Sequence, residues 1–142
     1  MIMDRTGLFS DGQAITATAA STNLIDLGAT GTPYGGTALV RDVGLGNSVP
    51  LVVTVTQSFN TLTSLTISVE TDDNASFSSA KTVWTSPAYT LAELATGAKY
   101  LLPDAIPAGV NERYVRLKYT VGGSNPTLGK ITAGVAAGRQ SA

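Results

Sequence analysis

The chain contains no cysteine and no histidine. Without thiols there is no disulfide framework, and folding is compatible with a reducing compartment. With both residue types missing, the usual soft and borderline metal sites, the Ser-His and Cys-His nucleophile systems and any histidine acid or base are excluded. Charge is scarce as well: 13% of residues are charged and the formal net charge is −1, so no overall field draws the chain to nucleic acid or to an anionic membrane. No apolar run approaches the length of a membrane span, and Asp4 precedes Arg5 with no basic segment leading an apolar core. The reading therefore expects a protein made in the cytoplasm without a secretory signal.

What is present is threonine, at 20 positions, beside 15 glycines and a 43% apolar fraction, in a length of 142 residues that suits one domain spanning 1–142. This composition favours pleated, half-buried strands joined by tight turns. Leu51, Val53 and Val55 alternate with Val52, Thr54 and Thr56, and Leu65, Ile67 and Val69 alternate with Thr66, Ser68 and Glu70. Each run predicts a strand with one buried face, and the short connection Phe59-Asn60-Thr61 predicts that 50–58 and 64–71 pair as a hairpin. Val115, Leu117, Tyr119 and Val121 form a third such run, and the turn at 122–126 predicts a second hairpin with the strand from Lys130 to Ala137. Weaker strand signals cover 13–19, 23–27, 82–85 and 99–102. A single helical turn is expected at Leu91–Leu94 behind Thr90 as N-cap. About eight short strands with little or no helix predict an all-β, antiparallel, jelly-roll-like β-sandwich.

Residues 28–49 form a long glycine-rich loop, the kind that is usually functional or mobile. The N-terminus is apolar for a free end, with Met1, Ile2, Met3, Leu8 and Phe9, so 1–12 is either an edge strand or an arm packing on a neighbouring subunit. Charge is unevenly spread: all ten acidic groups lie in 1–112, whereas 113–142 carries five basic groups and no acid. Arg113, Arg116 and Lys118 either face Glu70, Asp72 and Asp73 on neighbouring strands or form a basic edge that docks on an acidic partner.

Motifs that could carry chemistry read more simply as structure. Ser78-Ser79-Ala80-Lys81 has the spacing of a serine-lysine acyl enzyme but leads into a strand and lacks companion motifs. Asp72-Asp73-Asn74 lacks the ligand spacing of a calcium loop and reads as a turn. Glu70, Glu93, Asp104 and Glu112 are nominal glycosidase carboxylates that nothing pairs. Gly44-Leu45-Gly46 lacks the third glycine and following helix of a phosphate loop. Trp84 and Tyr89 form either part of the core or a stacking platform for a sugar, as in a tail or fibre domain binding a host glycan. The expectation is a protein that is not an enzyme and that uses no cofactor and no metal.

Taken in order, the stretches MIMDRTGLFSDGQAITATAASTNLIDLG, RDVGLGNSVPLVVTV, LTISVETDDNASFSSAKTV, ERYVRLKYTVGG and LGKITAGVAAGRQ resemble the small capsid cement, or decoration, proteins of tailed bacteriophages. The resemblance implies a jelly-roll-like domain on the outer surface of a virion, whose partners are the phage major capsid protein and further copies of itself. It implies homo-oligomers, dimers or trimers, on a capsid symmetry axis, bridging capsomers against the pressure of packaged DNA. Residues 30–40, TGTPYGGTALV, look like an insertion relative to that pattern. The expected contact regions are Met1 to Phe9, the 28–49 loop with Tyr34 and Arg41, and the basic hairpin with Arg113, Arg116 and Lys118.

Overall fold

Branched and hydroxyl side chains at alternating positions favour extended backbone. The computed structural model describes residues 2–97 and 100–138, and its regular structure is almost wholly antiparallel strand. In chain order they are β1 (Met3–Ala14), β2 (Ala19–Ala20), β3 (Ile25–Asp26), β4 (Leu51–Gln57), β5 (Leu62–Asp72), β6 (Lys81–Thr85), β7 (Tyr89–Thr90), β8 (Tyr114–Gly123) and β9 (Lys130–Ala136). The one helical turn among the described residues, 3-10 in geometry, is Leu91–Leu94, and the Thr90 N–H ahead of it donates to Glu93 Oε2 at 2.9 Å. Of the weaker strand signals, 82–85 is β6, 23–27 shrinks to β3, and 13–19 divides between the end of β1 and the start of β2. Of 99–102, Leu101 makes a bridge and Lys99 lies outside the described residues.

The smaller sheet has the order β1-β9-β4. Leu101 bridges Val53 and Ala105 bridges Pro50, so 101–105 occupies a fourth place beside β4. Pro103 has no N–H to give to a ladder, which keeps that segment from becoming a regular strand. In the larger sheet, β2 and β3 share one flank of β8, β5 lies on its other flank, and β6 and β7 share the far side of β5. Counting 101–105, the chain fills the two sheets in the order of interleaved Greek keys, so the sandwich is a jelly roll, not closed into a barrel.

Neither expected hairpin exists. β4 pairs with β9 and β5 with β8, so the connections 58–61 and 124–129 each carry the chain from one sheet to the other. Alternation reports which face of a strand is buried, and a short connection suits an arch between two sheets as well as a turn within one. The two arches stack. Asn60 Oδ1 accepts the N–H groups of Thr127 and Leu128, both at 2.9 Å, and its Nδ2 donates to Thr127 Oγ1 at 2.8 Å. Gly129, at φ 139°, lies so close that a Cβ there would come within 2.3 Å of the Phe59 ring.

Between the sheets lie Phe9, Ile15, Val53, Leu65, Ile67, Val69, Leu101, Leu117, Tyr119 and Ile131, all essentially inaccessible to solvent. A buried phenol needs a partner. Ser10 on β1 gives its proton to Gln13 Oε1 at 2.7 Å, so the Tyr119 hydroxyl on β8 must donate to Ser10 Oγ, at 2.8 Å, across the sandwich. Burial pushes the Tyr119 phenol well above its usual range, an effect the Ser10 bond partly opposes. The strands do not all have a single buried face. Val52 on β4 and Ser68, Glu70 and Asp72 on β5 are buried on the outer side too.

Asn60→Ala removes three hydrogen bonds that tie the arches. It is expected to lower stability by about 1–2 kcal/mol, seen as a fall in Tm of roughly 3–6 °C. A change within 1 °C in a calorimetric melt would show that the arches hold together without it.

Candidate functional site

Residues 28–46 leave the sandwich as a flap whose two ends are held by carboxylates. At one end, Asp26 takes a two-pronged contact from Arg113, with Nε to Oδ1 at 2.7 Å and an Nη to Oδ2 at 2.8 Å, and its Oδ1 also accepts the Gly28 N–H at 2.7 Å. The Arg113 guanidinium, then the Gly28 N–H, hold the Asp26 carboxyl down at about 2. At the other end, both Asp42 oxygens accept the Gly109 N–H, at 2.9 and 3.1 Å, and the Val43 N–H reaches Val110 O at 3.2 Å. Arg41 spans the flap, donating to Gly28 O at 2.7 Å. Beyond these ties the Gly36 N–H donates to Pro33 O at 3.0 Å, with Gly35 at φ 71°, the backbone a type II turn needs at its third position. Tyr34 sits at the corner of that turn, fully exposed.

A second cluster covers the outer face of the larger sheet. Glu70, 4% exposed, accepts from Arg116 Nε at 2.8 Å and lies 3.6 Å from the Lys118 ammonium. The Arg116 guanidinium also stacks on Phe77 at 4.1 Å. Glu70 pairs directly with Arg116 in the ladder, so this register brings the charges together. Of the expected carboxylate partners, Glu70 meets Arg116 and Lys118, but Arg113 turns to Asp26 instead. The basic segment is also not an edge: β8 is flanked on both sides, by β2 and β3 and by β5.

The N-terminal segment is the first strand of the smaller sheet. Met1 lies outside the described residues. Ile2 is exposed and its carbonyl accepts the Ala137 N–H at 2.9 Å, Met3 pairs with Ala136, and Leu8 is half-buried over Gly134. Phe9 belongs to the core at 1% exposure and offers no contact surface, because the strand turns it between the sheets. Between Met3 and Leu8 the register with β9 slips, and Asp4 takes the Thr6 N–H at 2.8 Å, which blunts that edge. A groove of about 360 Å³ runs alongside, lined by Arg5, Thr6, Leu8, Asp11, Asn23 and Leu24.

The expected contact residues thus fall in three separate places: the flap, the outer face of the larger sheet, and β1. The remaining motifs resolve as structure. Ser79 donates its hydroxyl to Asp72, at 2.9 Å, and Lys81 opens β6. Burial pushes the Asp72 carboxyl up, but the N–H groups of Asn74 and Ser79 and the Ser79 hydroxyl outweigh it and hold the group at about 2. Trp84 pairs with Val69 and is packed against the core. Among the described residues no group of three or more Asp or Glu gathers as a metal site would. Sequence reasoning missed the Asp26–Arg113 clasp and the Asp42–Gly109 contact, since partners 87 and 67 positions apart leave no local pattern.

Comparison with protein-family models matches residues 9–135 to the family described as Bbp16. No curated protein matches the chain.

Asp26 and Asp72 both have carboxyls depressed below the ordinary 3.8. A depressed acid stabilises the fold fully above its ordinary value, and that contribution disappears as pH falls through the folded value, here between about 4 and 2. Urea unfolding midpoints are expected to drop across that window, and the slope should flatten in the Asp26→Asn/Asp72→Asn double variant. An unaltered slope would assign acid sensitivity to other groups. Glu70→Gln, which leaves Arg116 facing an amide, should cost about 2–4 kcal/mol, whereas Lys118→Ala should stay within about 0.5 kcal/mol in the same assay.

Proposed function

From the premise that this chain belongs to Bbp16, a phage-associated family, we propose that it is a structural virion protein that binds the outer surface of a tailed-phage capsid and cements neighbouring major capsid protein subunits. The observation that supports this most is how the fold uses its charges. Asp26 with Arg113, Glu70 with Arg116, Asp42 with Gly109 and Asp72 with Ser79 all serve internal contacts. What faces outward is mostly hydroxyl, glycine and scattered apolar side chains, with charges such as Asp4, Arg5, Asp11, Asp73, Lys81, Asp104 and Lys130 dispersed among them. Such a surface makes many modest contacts, and repetition over a shell turns modest contacts into strong attachment.

On this reading the role is mechanical, without catalysis, cofactor or metal. The protein assembles as a dimer or trimer on a local symmetry axis of the shell, adding interface area that resists outward pressure. Symmetric assembly or docking would also cover the outer flanks of β1 and β6, which otherwise invite uncontrolled strand pairing.

Purified protein should cosediment with expanded capsids that lack it, saturating at a fixed ratio to the capsid subunit, and should bind unexpanded shells far less. Folded protein that stays in the supernatant with both shells would overturn the reading.

A further inference from the structure

Asp11 is followed by Gly12, and at no other point in the chain does aspartate or asparagine precede glycine. That pair has a chemistry of its own. The backbone nitrogen of the glycine attacks the side-chain carbonyl carbon of the aspartate and closes a five-membered succinimide. The nitrogen's proton and the carboxyl hydroxyl depart together as water. Water then reopens the ring, and attack on the former main-chain carbonyl leaves an isoaspartyl linkage. One water leaves and one enters, so no oxidant, reductant or cofactor is needed. Glycine favours the closure because it has no side chain to shield the nitrogen and restricts the backbone least.

The fold supplies both the opportunity and its restraint. Ser10 pairs with Ala133 and Gln13 with Ile131, so the register slips between them and Asp11 and Gly12 together face the single residue Thr132. Asp11 is exposed, and its carboxylate bonds to none of the other described residues. Gly12 stands at φ 56°, with no heavy atom within 4 Å of the place a Cβ would take, so this side of the bulge is open. The restraint is one hydrogen bond: the Gly12 N–H donates to Thr132 Oγ1 at 2.9 Å. Ring closure needs that nitrogen to give up its proton and turn onto Asp11 Cγ. While the N–H is directed at Thr132, the peptide plane between Asp11 and Gly12 is held toward β9.

We infer that Asp11-Gly12 is a site of spontaneous covalent modification by aspartate isomerisation, and that the Thr132 hydroxyl holds it closed in the folded chain. The consequence reaches past the surface. An isoaspartyl residue routes the backbone through Cβ and Cγ, which lengthens β1 by one methylene between Ser10 and Gln13. Those two residues are 2.7 Å apart, and their contact sets the direction of the Tyr119–Ser10 bond across the sandwich. Isomerisation at one exposed residue therefore loosens a contact that joins the sheets. It also moves a carboxylate in the groove that Asp11 lines with Arg5 and Leu24. None of this depends on what the protein binds.

The test is peptide mapping of folded protein aged at neutral pH and body temperature. The peptide with isoaspartate at Asp11 keeps its mass, elutes apart from its parent, resists endoproteinase Asp-N and accepts a methyl group from a protein isoaspartyl methyltransferase. Thr132→Val removes the acceptor at nearly constant volume and Thr132→Ser keeps it, with thermal melts to confirm folding. Loss of one restraining hydrogen bond should speed isoaspartate formation about three- to tenfold in Thr132→Val and leave Thr132→Ser within about twofold of the natural chain. The natural chain unfolded in urea should isomerise at least as fast as Thr132→Val. A folded Thr132→Val chain that isomerises no faster than the natural one overturns the role of Thr132, and absence of isoaspartate at Asp11 even in the unfolded chain overturns the site. Amide hydrogen exchange of the natural chain needs no substitution: the Gly12 N–H should be protected, and exchange at the rate of a free peptide overturns the restraint. The isoaspartyl form, once separated, should melt below its parent, and equal melting overturns the coupling to Tyr119.

Discussion

One side-chain amide holds the topology together. Asn60 sits in the arch from β4 to β5 and bonds three groups of the arch from β8 to β9, so two of the places where the chain crosses between sheets are locked to each other. Both crossings are needed for a jelly roll. If either closed as a hairpin, β5 would lie beside β4, or β9 beside β8, and the long β5–β8 ladder at the centre of the larger sheet would not form. The Tyr119–Ser10 bond performs a related task at mid-sandwich, joining β8 to β1 across an otherwise apolar interior. A chain without cysteine thus links its two sheets through polar contacts of high sequence separation.

That separation decides what could be read from sequence. Alternation at 51–55, 65–69 and 115–121 identified three long strands, and the scarcity of helix formers identified the class, because both are local properties. Pairing is not local. Gly122-Gly123 looked like a hairpin turn, yet glycine is required there because Ser64 and Thr63 of the neighbouring strand leave no room for a Cβ. Gly129 is glycine because of Phe59, a residue 70 positions away. The same limit applied to the surface. Phe9 reads as an apolar N-terminal residue with no sign that its strand would bury it, whereas Tyr34, expected as a contact residue of the long loop, is exposed.

The distribution of charge follows from the same economy of interactions. Thirteen per cent charged residues leave few ions to place, and the fold puts Glu70 and Arg116 opposite each other on paired strands, where burial strengthens their attraction and Phe77 covers the guanidinium. The imbalance between the acidic 1–112 and the basic 113–142 is therefore largely the trace of cross-strand and loop-to-strand pairs read along a line.

The flap owes its position to the strand that the smaller sheet lacks. Between 101 and 112 the prolines at 103 and 107 prevent a continuous fourth ladder, leaving backbone groups that point away from β4. The flap uses them. Val110 O takes the Val43 N–H, the Gly109 N–H goes to Asp42, and Gly44 lies so near Pro107 that a Cβ would fall 2.0 Å from its carbonyl oxygen. A regular strand at 101–112 would turn those groups into its own ladder and leave the flap without a support. Interrupting one edge strand therefore does two things at once: it blunts an exposed sheet edge, and it anchors the flap at one end of the sandwich.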